Sequence, residues 1–107
     1  LLGFLFYNLI ENAIKYSPEL SIVRITGGGD SDHFLVAISD EGEGIEEEKR
    51  GKVFDRFFRV EGSSKRAHGS GLGLAICKGV ADSLGAQLWV QNNADVGATF
   101  YFKIKKS

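Results

Sequence analysis

Residues 2–18 read LGFLFYNLIENAIKYSP, and the spacing of their side chains governs how the rest of the chain is read. Leu2, Phe6, Leu9 and Ala13, flanked by Leu5 and Ile10, recur at helical intervals. One amphipathic helix is therefore expected from Leu2 to Tyr16. Pro18 stops it, and Ser17 before the proline is biased towards extended geometry. On a helical wheel Asn8, Glu11, Asn12 and Lys15 gather opposite the apolar stripe. Glu11 and Lys15 read as an i,i+4 ion pair on a solvated face. The asparagines fit such a face poorly, because an Asn amide competes for nearby backbone groups. Two of them one turn apart suggest that neutral amides are wanted. An amide oxygen is a hard ligand suited to Mg²⁺, which keeps several waters and binds substrate phosphates. Lys15 could supply a point charge for those phosphates.

A helix with one apolar stripe needs a partner layer, and the sequence that follows supplies strands. SIVRIT (21–26) is a strand candidate, GGGDSD (27–32) a turn, and HFLVAISD (33–40) a second strand. The last is apolar on both faces and is expected to be central. A short acidic turn, EEEKR, follows at 46–50, then a long polar segment with aromatic residues at its front. Such long segments are usually functional or disordered. A second helix is expected from Ser70 to about Leu84, with Lys78 and Asp82 on its wet face and Gly85 as its stop. AQLWVQ (86–91) is a strand, NNADVG (92–97) a turn and TFYFKIK (99–105) the clearest strand. In that strand Phe100, Phe102 and Ile104 share one side, and Thr99, Tyr101, Lys103 and Lys105 the other. Helix, hairpin, loop, helix and hairpin make an α+β chain. The expected fold is a two-layer α/β sandwich, with helices on one face of a mixed, mainly antiparallel sheet.

Composition narrows the function. The 107 residues suit one domain, 43% of them apolar and 25% charged, with a net charge of −1. That balance speaks against a nucleic-acid partner, which needs clustered Lys and Arg. Cys77 is the single cysteine, so no internal disulfide can form and a reducing compartment is the simpler reading. No apolar run has the length of a bilayer span, and LLGFLFYNLI lacks the basic lead of a signal peptide. The chain has no Met and opens already in helical pattern, so an N-terminally truncated domain spanning 1–107 is expected.

Two further stretches carry chemistry. Asp40 closes an apolar strand and meets Gly42 and Gly44. A carboxylate at the mouth of an apolar pocket needs a donor, and the exocyclic amine of adenine is one. The glycines would let the backbone approach a flat ring. In GSGLGL, Gly69, Gly71 and Gly73 open a helix, where backbone N–H groups bind anions. The spacing is not the dinucleotide fingerprint, and no Lys-Ser/Thr ending makes it a P-loop.

Together these blocks resemble the catalytic and ATP-binding domain of bacterial sensor histidine kinases, a Bergerat-type ATPase shared with the gyrase, Hsp90 and MutL families. NLIENAIKYS (8–17) looks like the N box, DEGEGI (40–45) the G1 box and FDRFF (54–58) the F box. GSGLGL (69–74) looks like the G2 box and GATF (97–100) the last glycine block. The resemblance implies ATP as substrate, ADP as product and Mg²⁺ held by Asn12, with Asn8 at the same site. It implies Lys15 on the phosphates, Tyr16 against the adenine or ribose, and Asp40 on the adenine amine. Gly42, Gly44 and Ile45 would shape that pocket, and Thr99 would close it. Phe54 and Phe57 would anchor an ATP lid over about 55–70, with Arg59 reaching the γ-phosphate. Gly69, Ser70, Gly71, Leu72, Gly73 and Leu74 would wrap the phosphates.

In hydrolysing relatives a glutamate precedes the metal-binding Asn by four residues and activates water. Here that position is Asn8, which cannot act as a base. The resemblance therefore implies transfer of the γ-phosphoryl group to a histidine on a separate dimerisation helix, with Glu11 assisting, and a response regulator downstream. It implies a cytoplasmic domain, without membrane contact of its own, in a parent anchored in the inner membrane. His33 reads as a strand-end residue, His68 as a loop residue, and Cys77 and Trp89 as packing. A serine kinase of the same fold and a non-catalytic nucleotide sensor are the competing readings.

Overall fold

The structure is a computed structural model and describes residues 2–55 and 73–106. The elements run α1 (Leu2–Tyr16), β1 (Arg24–Gly29), β2 (His33–Ser39), a short 3-10 helix (Glu47–Lys52), α2 (Gly73–Ser83), β3 (Gln87–Asn92) and β4 (Ala98–Lys105). The strands form one sheet in the order β1-β2-β4-β3. Among the described residues every pairing is antiparallel, with no parallel pair of the kind a mixed sheet would hold. β2 is interior, as its two-sided apolar pattern implies.

Register fixes which side chains meet the helices. Ile25, Ile38, Phe100 and Val90 form one cross-strand row, and Gly27, Val36, Phe102 and Leu88 the next. Ile38, Val90, Phe100, Phe102 and Leu88 are buried from these rows, with Leu5, Leu9 and Ala13 of α1 and Cys77 and Ala81 of α2. Burying each large side chain contributes about 1.5–3 kcal/mol. Phe6 meets Phe102 edge-on at 5.3 Å, and Phe54 meets Phe100 at 5.9 Å. The buried stripe of α1 is thus Leu5–Leu9–Ala13, with Phe6 and Ile10 on its flank. Leu2, at the first turn, is exposed.

Two boundaries depart from the sequence reading. SIVRIT does not form the strand as a unit. β1 begins at Arg24 and continues through Gly29. The turn is confined to 30–32 because Asp30 organises it. Its Oδ1 accepts the Asp32 and His33 N–H groups, both at 2.8 Å. These donors hold the Asp30 carboxyl below the usual aspartate range. Gly29 (φ 142°) passes under the His33 carbonyl, where an added Cβ would lie 2.1 Å from its oxygen. Both this closeness and the positive φ require glycine there. Of the acidic stretch 46–50, Glu46 is the N-cap residue of the 3-10 helix and the rest lies within it.

α2 ends as its sequence implies. Gly85 has φ 69°, its N–H bonds the Asp82 carbonyl at 3.1 Å, and the Ala86 N–H bonds that of Ala81 at 2.8 Å. This pair of bonds is a Schellman stop. Trp89 does pack, but outside the core: it stacks on Tyr101 at 5.3 Å and 16°. Both lie on the sheet face away from the helices, since their row alternates with the buried ones.

Candidate nucleotide site

α1 links two separate features along its polar side. At one end is Asn8, half-buried, whose Nδ2 donates to the Phe4 carbonyl at 2.8 Å. Its Oδ1 points to the start of α2, 3.5 Å from where a Cβ on Gly73 would stand. At the other end is Tyr16, whose carbonyl oxygen lies 2.4 Å from where a Cβ on Gly42 would stand. Eight residues of helix separate these ends by about 12 Å. Asn12 lies between them, half-buried, and no described residue hydrogen-bonds its amide.

The loop beyond Tyr16 holds Asp40, 5% exposed. Its Oδ1 accepts the Gly42 N–H at 2.9 Å and the Ala98 N–H at 3.2 Å. Among the described residues, none donates to Oδ2. Burial holds the carboxyl above the usual aspartate range, against the pull of the two N–H bonds. A buried carboxylate with an oxygen left over is a costly arrangement unless a donor arrives from outside. Gly44 (φ 80°) and Ile45 complete the loop against β3, where Asn92 exchanges two hydrogen bonds with the Ile45 backbone, both 2.8 Å.

Other expected site residues divide. Lys15 is on α1 and pairs with Glu11 at 3.2 Å. Glu11 also takes a hydrogen bond from Tyr7, and these two partners hold its carboxyl below the usual range. Glu11 is thus paired on the helix surface. Leu74 and Phe54 are half-buried against the core. Thr99 is not brought to Asp40. Its hydroxyl donates to Asn93 Oδ1, on the sheet face carrying Ser39. Alternation along β4 turns Thr99 away from Phe100, and the residue that reaches Asp40 is Ala98, through its N–H. Phe57, Arg59, His68, Gly69, Ser70, Gly71 and Leu72 lie outside the described residues.

Sequence reasoning passed over Asn92 and Asn93, read only as turn residues. Consecutive asparagines at a strand end were the available signal. Gly97 (φ 85°) is packed so closely that an added Cβ would lie 2.0 Å from the Asp40 carbonyl oxygen. A pocket of about 240 Å³ also touches Asp40, lined by Arg24, Ser39, Glu41, Asn93 and Asp95 among others. It is smaller than an ordinary ligand site.

As for metal, no group of three or more His, Cys, Asp or Glu among the described residues could hold an ion. The donors along α1 are neutral amides. That set fits a cation that retains waters and takes further ligands from phosphates, as Mg²⁺ does. No described helix is long and apolar enough to cross a membrane.

Comparison with known proteins identifies the family and the fold. The family model for histidine kinase-, DNA gyrase B- and HSP90-like ATPases matches residues 1–107. The swarming motility regulation sensor protein RssA of Serratia marcescens is 41% identical over 96 residues, covering 85% of this chain and 19% of RssA. The mycobacterial sensor histidine kinase MprB superposes with a TM-score of 0.90 at 35% identity, over 97% of this chain and 71% of that one. ShkA, solved full-length in complex with AMPPNP, superposes at 0.82 and 26% identity, over 96% of this chain and 21% of that one. ThkA, solved in complex with the response regulator protein TrrA, superposes at 0.80 and 30% identity, over 99% of this chain and 28% of that one. The chain spans about a fifth of the length of RssA and 11% of another sensor relative. The match over the whole sequence decides the family: the chain belongs to the histidine kinase-, DNA gyrase B- and HSP90-like ATPases, and within it is similar to sensor histidine kinases such as MprB.

Proposed function

We propose that residues 1–107 form one domain that binds Mg²⁺-ATP along α1 and presents its γ-phosphoryl group to a histidine on a helical dimerisation segment of the parent protein. The observation that carries this reading is the course of α1, from Gly73 at the head of α2 to the Asp40 loop. In this reading Asp40 Oδ2 accepts the adenine amine. Gly42 and Gly44 keep the loop close enough for the ring, and Tyr16 flanks it. Asn12 would hold Mg²⁺, which when bound neutralises phosphate charge. Asn8, steered by its bond to Phe4, turns its oxygen to the same region. Lys15 adds positive charge nearby.

The transfer needs little from the protein beyond placement and charge neutralisation. The histidine nitrogen forms a bond to the γ-phosphorus as the bond to the β–γ bridging oxygen breaks, leaving ADP. Neither Asn8 nor the paired Glu11 is suited to activating water, which favours transfer over hydrolysis. A response regulator is the expected next acceptor, a parent anchored in a bacterial inner membrane the expected setting. In the parent protein, Asn12→Ala should reduce phosphotransfer by about a hundredfold or more. The phosphoryl group on the wild type should be lost in acid, as from a phosphohistidine. Undiminished transfer in Asn12→Ala refutes the metal assignment. Acid-stable phosphate points instead to a serine acceptor.

A further inference from the structure

The loop that carries Asp40 has no strand partner after residue 40, yet its far end is held at two points. Asn92, the last residue of β3, donates from Nδ2 to the Ile45 carbonyl and accepts the Ile45 N–H on Oδ1, each at 2.8 Å. A side-chain amide here does what a neighbouring strand would do, pairing with both backbone groups of one residue. It lies close against the loop: a Cβ added to Gly44 would be 3.0 Å from Asn92 Oδ1. The near end is held by the next residue. Asn93 Nδ2 is shared among the Asp40 carbonyl at 3.1 Å, Ser39 Oγ at 3.0 Å and the Val96 carbonyl at 2.9 Å. Between these fixed points the Gly42 N–H reaches back to Asp40 Oδ1.

We infer that Asn92 is a positioning residue for recognition of the nucleotide base: by fixing Ile45 it sets the path of residues 41–45, and with it the aim of Asp40 Oδ2. This rests on the reading that Asp40 receives an adenine amine. Asn92 itself touches no substrate. Without its clasp the loop keeps its sequence and its aspartate but loses the far anchor. The Gly42 N–H then pins Oδ1 less well, leaving it the longer bond from the Ala98 N–H, and the aim of the carboxylate loosens. The effect therefore falls on the part of the affinity that depends on the amine, not on the phosphates held at the other end of α1.

The test compares ATP with inosine triphosphate, which lacks the exocyclic amine, by calorimetric titration of the full chain. Wild type should prefer ATP. Asn92→Ala should weaken ATP about tenfold and inosine triphosphate no more than about twofold, with unchanged circular dichroism. Equal weakening of both, which a merely structural asparagine would give, overturns the inference. So does ATP binding within about twofold of wild type. Asn92→Asp keeps the shape and the acceptor for Ile45 N–H, but sets a carboxylate oxygen against the Ile45 carbonyl. Its ATP affinity, as a ratio to wild type at each pH, should recover on acidification, because the protonated oxygen donates again. If Asn92→Ala fails to fold, this ratio decides, and its failure to recover overturns the inference. A wild type that binds neither nucleotide refutes the nucleotide reading itself, a result distinct from the others.

Discussion

Asp40 keeps a charge in a place where the fold gains nothing from it. Its Oδ1 is occupied by Gly42 and Ala98, and burial holds its carboxyl above the usual aspartate range. Asparagine could accept the same two N–H bonds without the buried charge. Asp40→Asn should therefore leave the melting temperature unchanged or raised, while lowering ATP affinity by about tenfold. A variant that loses stability and keeps affinity would make Asp40 a structural residue. The sign of the pH effect follows from the same shift. The folded form holds this proton more tightly than the unfolded chain, so acidification through that range adds stability from Asp40 rather than removing it. Over the same range ATP affinity should fall, as the carboxylate that accepts the amine is protonated. At this scale the sequence was partly legible. Asp40 stood out because an acid ended an apolar strand. Thr99 was legible by alternation along β4, which puts it opposite Phe100, whereas the family pattern alone assigned it to the nucleotide. Asn92 was not legible, because its partner Ile45 is distant in sequence and only the folded sheet brings them together.

Among the elements, α1 bears the most. Leu5, Leu9 and Ala13 are its buried stripe, and the same turns carry Asn8 and Asn12 on its half-buried flank. Packing thus fixes the rotation of the helix and the aim of the amides at once. Leu9→Ala should cost about 2–5 kcal/mol in denaturant unfolding. Its nucleotide affinity should fall with it at temperatures where the protein remains folded. A loss below about 1 kcal/mol would show that Leu9 is not held by the sheet layer. α1 and β4 were readable from period, since each has one strongly apolar face, and β2 from an apolar run on both faces that marks an interior strand. β1 was not. It is an edge strand exposed along its whole length, so no apolar pattern marks it, and its glycines look like a turn until Asp30 is seen to claim that role.

For the molecule as a whole, two layers bring three remote stretches to one side of the sheet: the helix amides, the Asp40 loop and the head of α2. None of these has a use for the fold that matches its cost. Asparagines weaken a helix, a buried carboxylate is uphill, and Gly73 in the first turn of a helix gives up stability. The common explanation we propose is a ligand that is anionic at one end and carries an amine at the other. Calorimetric titration of the folded chain with a non-hydrolysable ATP analogue, with and without Mg²⁺, tests this most directly. One site per chain is predicted, tightened about tenfold or more by the ion. A folded chain that takes up no analogue, or binds it equally with and without Mg²⁺, would contradict the placing of a metal-bound triphosphate along α1.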